Sequence, residues 1–261
     1  MNYEGLDWSI LGPAWLAGLL VLVTHVPLGH RVLSRGIIFI DLAIAQVAAL
    51  GVILAQYFGV EESGMGVQFA AAGAALAGAV LLTWTEKRWP EHQEALIGCL
   101  FALAATGGLL LLANNPHGGE HLKDLLVGQI LWVTTGQLIQ VAIVTAVLAA
   151  AILVLGERLR GLLFYGLFGL AITTSVQLVG VYLVFASLIM PALATVNLDG
   201  RVRLLAAFAT GVVGYGLGLA LSAVFDLPSG AMIVWTLAIC GIVVHALSAL
   251  LPGKTGKPVT A

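Results

Sequence analysis

The chain has 261 residues, of which 60% are hydrophobic and only 9% are charged, and its formal net charge is −2. A soluble domain carries about 25% charged residues, so this composition excludes an ordinary soluble protein, and the small negative charge gives no basic field for nucleic acid. The two cysteines, Cys99 and Cys240, lie apart in apolar runs and exclude a disulfide framework. We therefore predict an all-α, polytopic membrane protein in which residues 1–261 form a single transmembrane domain.

Apolar runs follow one another along the chain, and a membrane crossing needs about 20 such residues. The run at 161–197 is too long for one span, and Thr173, Thr174, Ser175 and Gln177 interrupt it. We predict that it forms two helices, the first of them short, with this polar patch as the turn. The result is about nine transmembrane helices, from runs at about 13–32, 36–58, 66–85, 94–113, 137–156, 161–197, 204–225 and 229–251.

The positions of the basic residues support this count. With nine spans and the N-terminus outside, the inner loops hold ten of the eleven lysines and arginines, and only Lys123 lies outside. Without the split of 161–197 this alternation fails. Because basic loops stay in the cytoplasm, we expect the N-terminus outside and the C-terminus inside.

Two shorter segments have their own signals. Residues 125–133, LLVGQILWV, are too few to cross a bilayer and predict a short re-entrant or interfacial helix on the outer side. Residues 214–218, GYGLG, place small residues four apart, a spacing that lets membrane helices approach each other closely.

Asp41 is the only charged residue inside a predicted span, and Gln46 follows it in the same span. Six residues separate Asp41 from Arg35, which would place Asp41 roughly 9 Å into the helix from its cytoplasmic end. Such residues are costly in hydrocarbon, so they either make helix–helix hydrogen bonds or line a path for a solute. The residues alone favour neither interpretation. Gln177 and the nearby hydroxyl cluster could belong to the same transport path.

Histidines occur singly in the apolar runs. We expect His25, on the first span, to make an interhelical hydrogen bond. We expect His30, near the end of that span, to be solvated at the inner loop.

The predicted outer loop 114–124, NNPHGGEHLKD, is the one compact cluster of metal-ligand types. Imidazole with carboxylate suits divalent transition metals, and His117, Glu120, His121 and Asp124 lie within eight residues. Gly118 and Gly119 argue against a regular helix there. The simpler interpretation is a polar loop that stays in water, and a metal-collecting role is the alternative.

Three stretches together resemble the permease subunits of the zinc, manganese and iron ABC importers: 31–54, 122–134 and 176–195. The last, VQLVGVYLVFASLIMPALAT, is the most specific, because the family reads close to VGxLLVxALLIxPAATA there. The family's LFGxIL element is matched at Val127, Gly128, Ile130 and Leu131. EALIG at 94–98 and FDLPSGAMIV at 225–234 also resemble family elements.

The chain departs from the family in two places. Where the family usually has GDALAHA, an alignment without gaps puts Asp41 on the glycine, Leu42 on the aspartate and Gln46 on the histidine. The family also carries a D-P-x-x-A-x-x-x-G segment that contacts its ATPase, and only GERLRG at 156–161 remains here. Candidate ATPase contacts are therefore Arg158 and Arg160 in this loop. Arg201 and Arg203 in the loop at 197–203, and the loop at 86–94, are further candidates.

The resemblance implies a transport subunit, not an enzyme, for a divalent transition-metal ion (zinc, manganese or iron), with ATP hydrolysed on a separate chain. It implies two permease copies in the lipid of a bacterial plasma membrane, an ATP-binding subunit on the cytoplasmic face, an external solute-binding protein, and no tightly bound cofactor. Alternatives from other classes are an ion-coupled secondary transporter with Asp41 as a proton site, and a membrane scaffold that transports nothing.

Overall fold

The structure, a computed structural model, describes residues 8–60, 65–112, 126 and 128–250, except the side chain of Glu157. In this part of the chain there are nine α-helices, and eight of them are long and apolar enough to cross a membrane. We number the helices in chain order: α1 (Trp8–Arg35), α2 (Ile40–Tyr57), α3 (Met65–Arg88), α4 (Gln93–Leu112), α5 (Thr135–Leu155), α6 (Gly161–Val179), α7 (Val181–Ala194), α8 (Gly200–Phe225) and α9 (Ser229–Leu250).

The all-helical fold and the split of the long run at 161–197 are confirmed, but the predicted position of the turn is wrong. The chain breaks at Gly180, whose φ of 82° lies in the left-handed region that glycine adopts without steric cost. The polar patch stays helical because a hydroxyl can bond back to its own helix, as Thr174 Oγ1 does to the carbonyl oxygen of Leu170 at 2.9 Å. The short helix is consequently the second one, α7, with 14 residues.

The short connections place the helix ends in two groups, and one end of the bundle collects the positive charge. At this end α1, α3, α5, α7 and α9 finish and α2, α4, α6 and α8 begin. We call it the basic end, because every lysine and arginine in the described ranges lies there or within about one helical turn of it: Arg31, Arg35, Lys87, Arg88, Arg158, Arg160, Arg201 and Arg203.

The outer surface of the helix bundle is apolar. Leu110, Leu153 and Val154 are 77%, 80% and 83% exposed, and each lies in a helix that has no polar face. Exposed aliphatic side chains on this scale are unfavourable in water and neutral in hydrocarbon. The exposed faces of the bundle are therefore suited to contact with lipid tails.

Glycines allow the closest helix contacts. A β-carbon added at Gly29 of α1 would lie 2.0 Å from the carbonyl oxygen of Leu188 in α7, so these two backbones touch. The predicted role of the GYGLG segment is confirmed at Gly218, where an added β-carbon would lie 2.5 Å from the Cα of Ile233 in α9.

The described part of the 125–133 segment packs against the break between α6 and α7. Residues Ile130–Trp132 form a single 3-10 turn, and Ile130 is 1% exposed. Gly128 has a φ of 70°, and an added β-carbon there would lie 2.2 Å from the carbonyl carbon of Val179. Residues 125 and 127 lie outside the described residues.

We predict that Gly128→Ala destabilises the protein. The added methyl group meets backbone atoms that cannot move aside, and the positive φ adds strain, so the cost should be about 3 kcal/mol or more. The measurement is the thermal unfolding midpoint of the protein in detergent.

Gly136→Ala is the matched control, because nothing lies within 4 Å of the position that its β-carbon would occupy and it lies within α5. The control should be neutral or slightly stabilising. Equal midpoints for the two variants would contradict the close packing of Gly128 on the α6–α7 break.

Candidate functional site

Asp41 is fully buried in the first turn of α2. The predicted depth of 9 Å is wrong, because Gly36 takes a φ of 68° and the chain turns before α2 begins at Ile40. Asp41 therefore lies close to the basic end.

The carboxylate of Asp41 has no partner on another helix. Neither of its oxygens accepts a hydrogen bond from another helix in the described part of the chain. A buried carboxylate that only packed helices together would normally be hydrogen-bonded across the interface. Its two free acceptor oxygens instead leave room for a donor or a cation from outside this set of residues.

Gln46 lies five residues further along α2, on a different face of the helix from Asp41, and is 7% exposed. It lines a groove of about 580 Å³ between α2, α4, α7 and α9. The other lining side chains are apolar except Tyr182 and Trp235, so the amide of Gln46 is the main polar group in the groove. Side chains of α7, among them Phe185 and Met190, form one wall.

Gln177 lines a different groove, of about 240 Å³, between α3, α5 and α6. Three other glutamines, Gln68, Gln137 and Gln140, share it, and Gln140 Nε2 donates to Gln68 Oε1 at 2.5 Å. Thr173 also lines this groove, buried and with an unbonded hydroxyl. Within one chain, Gln46 and Gln177 are therefore not brought together. Sequence reasoning missed the other three glutamines. The only sequence feature that could have indicated them is that each lies near the start of an apolar helix.

Two arginines of α1 hold the loop between α5 and α6 by hydrogen bonds. Arg31 Nη2 donates to the carbonyl oxygen of Gly156 at 3.2 Å, and Arg35 Nη2 donates to that of Leu159 at 3.0 Å. Leu159 is 2% exposed, whereas Arg158 and Arg160 on either side of it are exposed. The two predicted ATPase contacts in this loop therefore face away from the bundle.

The second pair of predicted contacts begins α8. Arg201 is exposed and Arg203 is half-buried in the first turns of this helix, at the same basic end. All four arginines can thus be reached by a partner at that end.

The histidines of α1 do not behave as expected. His25 is fully buried but bonds within its own helix, with Nδ1 2.9 Å from the carbonyl oxygen of Val21, so the interhelical bond predicted for it is not made. His30 is half-buried in α1 and not solvated in a loop. Its Nε2 lies 3.2 Å from Thr195 Oγ1 at the end of α7. No sign of this contact is present in the sequence, because Thr195 lies 165 residues further along the chain.

The predicted metal ligands His117, Glu120 and His121 lie outside the described residues. Among the residues that the structure describes, no group of three or more histidine, cysteine, aspartate or glutamate side chains is arranged to hold a metal ion.

Comparisons with known proteins give the family. The family model of the ABC 3 transport family matches residues 7–164 and 157–248. A relative from Halalkalibacterium halodurans, "Manganese transport system membrane protein MntC", is 26% identical over 88% of this chain and 84% of its own length. A "Probable iron transport system membrane protein" from Haemophilus influenzae is 26% identical over 88% of this chain and 91% of its own.

A solved structure has the same fold. "PsaBC from Streptococcus pneumoniae in complex with Fab" aligns with a TM-score of 0.76 at 21% identity, over 94% of this chain and 95% of that one. The helical arrangement is therefore one that is known from experiment.

We predict that a water-soluble maleimide labels cysteines at positions 158 and 160 but not at position 159. The variants are Arg158→Cys, Leu159→Cys and Arg160→Cys in a background with Cys99→Ala and Cys240→Ala. Burial of Leu159 should slow its labelling at least tenfold, because a thiol reacts only where the reagent reaches it. Labelling is measured on the folded protein in detergent by mass spectrometry. Rapid labelling at all three positions would show that α1 does not hold the loop.

Proposed function

Because this chain belongs to the ABC 3 transport family, we propose that it is the membrane-spanning permease subunit of an ATP-binding-cassette importer for a divalent transition-metal ion. The family match across nearly the whole chain carries the proposal, and relatives named for manganese and iron transport support the class of ion. An ion-coupled secondary transporter is not favoured, since the family is an ABC transporter family.

In this proposal the basic end faces the cytoplasm of a bacterial cell. Positive residues concentrate on the cytoplasmic side of membrane proteins, and all described lysines and arginines lie at this end. The N-terminus of α1 is then outside and the chain finishes inside. Hydrolysis of ATP takes place on a separate ATP-binding subunit at the basic end, and an external solute-binding protein delivers the ion at the opposite end.

The transport path is proposed to form between two copies of the chain. The groove that contains Gln46 is open on one side, so a second copy placed against it would close a channel with an amide from each subunit. Asp41, with its unpartnered carboxylate, lies at the cytoplasmic end of the same helix. A few weak oxygen contacts suit a transported ion, which must be released as well as bound.

The identity of the ion is open between manganese, iron and zinc. Carboxylate and amide oxygens suit manganese better than zinc, which prefers imidazole and thiolate. Gln177 in its separate groove, and the His117, Glu120 and His121 cluster, are proposed as accessory contacts on the outer side that the ion meets before it reaches Gln46.

We predict that Asp41→Asn lowers metal uptake several-fold while the complex still assembles. The change keeps the shape of the side chain and removes the charge that would attract a divalent ion. Uptake of radioactive manganese, iron and zinc is measured in vesicles that contain the permease, its ATPase and its solute-binding protein.

Asp199→Asn is the control, because Asp199 is an exposed carboxylate at the same end. Normal uptake by Asp41→Asn in normally assembled protein would remove Asp41 from the path. A loss of assembly without a specific loss of uptake would assign it a structural role.

We predict that replacement of Arg158 and Arg160 by alanine lowers ATP hydrolysis coupled to transport. Both guanidinium groups are exposed at the basic end, and arginine pairs bidentately with carboxylates on a partner. Coupled hydrolysis is measured as the increase in ATPase activity on adding loaded solute-binding protein, beside the yield of intact complex. The double variant Arg201→Ala with Arg203→Ala is compared. If only this second pair lowers the increase, the contact lies at 197–203.

A further inference from the structure

The last two turns of α1 contact two parts of the protein at once, the loop between α5 and α6 and the end of α7. Arg31 and Arg35 bond to carbonyl oxygens of the loop at 156–160, as described above. His30, one residue before Arg31, meets Thr195 at the end of α7. We call His30, Arg31 and Arg35 the α1 hub.

On the loop side, the contacts fix the backbone rather than a side chain. Gly156 has a φ of 45° and begins a 3-10 turn, which brings its carbonyl oxygen to Arg31. The guanidinium of Arg35 also lies 4.0 Å above the ring of Phe164 in α6. Charge-assisted bonds to carbonyls and a cation–π contact together hold the loop in one position against α1.

On the α7 side, the backbones of α1 and α7 are in contact beside the hub. Gly29 packs directly on the carbonyl of Leu188, and Thr195 is fully buried. His30 Nδ1 lies 2.8 Å from the carbonyl oxygen of Val26, which fixes the imidazole so that its Nε2 reaches Thr195. Since the two backbones are in contact, α7 cannot stay in place if the end of α1 moves.

The wall of the Gln46 groove is formed in part by α7, through residues such as Tyr182, Phe185 and Met190. The covalent route from the loop to α7 is much longer. It runs along the whole of α6 to the opposite end of the bundle and crosses Gly180, which can absorb a rotation. The hub instead joins the loop to the near end of α7 directly.

We propose that the α1 hub is the mechanical link that carries a displacement of the 156–160 loop to α7 and so to the groove. The inference rests on the proposed function, in which the ATPase contacts this loop. His30, Arg31 and Arg35 act as positioning residues, because they touch neither the ion nor, in this proposal, the ATPase. Loss of the hub should leave the ATPase bound and active but disconnect its movement from transport.

The test uses the complete transporter in vesicles of bacterial lipid. Arg31→Gln with Arg35→Gln removes both guanidinium contacts. The control, Lys254→Gln with Lys257→Gln, removes two positive charges from the sequence that follows α9, where no contact is proposed. Three quantities are measured: the ATPase that copurifies, the rate of ATP hydrolysis, and the number of manganese ions taken up per ATP hydrolysed.

We expect the hub variant to retain its ATPase and its hydrolysis and to take up roughly five- to thirtyfold fewer ions per ATP. The control should keep the ratio of the unmodified protein. Two milder variants serve if the double variant does not fold. Arg35→Lys keeps the charge without the planar group, and Thr195→Val keeps the shape without the hydroxyl, and each should lower the ratio by a smaller factor.

A separate cross-link distinguishes failure of this inference from failure of the proposed function. A cysteine at position 158 should cross-link to the ATPase if the loop is its contact. If the cross-link forms and the hub variants keep a normal ratio of ions to ATP, the hub is not the link. If no cross-link forms, the proposed loop contact is wrong and the inference falls with it.

Discussion

The interior of a bilayer offers no water to satisfy a polar group, and the rest of this structure follows from that constraint. Backbone groups are satisfied inside helices, and buried hydroxyls bond back to their own helix, as Ser187 does to the carbonyl oxygen of Leu183 at 2.6 Å. Ser187 also meets the hydroxyl of Tyr215 in α8 at 2.8 Å, one of the polar contacts between helices. Because most buried hydroxyls in the described part of the chain find such a partner, the unpartnered carboxylate of Asp41 stands out as a candidate for function.

The same constraint explains why the break between α6 and α7 needs so much packing. A chain that leaves the helical conformation exposes backbone groups, and these must be covered by protein at membrane depth. Gly128 lies against this break with no space for a side chain. The break permits a helix of only 14 residues to run back toward the basic end and form a wall of the groove. One glycine thereby determines both the length of α7 and the shape of the candidate path.

The arginines at the basic end have two orientations. Arg158 and Arg160 are free to meet a partner, whereas Arg31 and Arg35 are turned inward onto carbonyl oxygens of the same loop. The residues of one charge class therefore divide into those that face outward and those that hold the loop in place. This division places the two exposed arginines directly beside the end of α1, which in turn packs on α7.

The sequence by itself determined the all-helical membrane fold, the split of the 161–197 run and the collection of charge at one end, because hydropathy and charge are properties of short stretches of chain. It also singled out Asp41 and Gln46, because polar residues are conspicuous in apolar runs. Only the tertiary structure decided that Gln46 and Gln177 face different grooves, that the chain turns at Gly180, and that Arg31 and Arg35 bond to the loop. The direction in which a side chain points depends on how helices are rotated and packed against each other. That rotation is set by contacts between residues far apart in the chain, which no local pattern records.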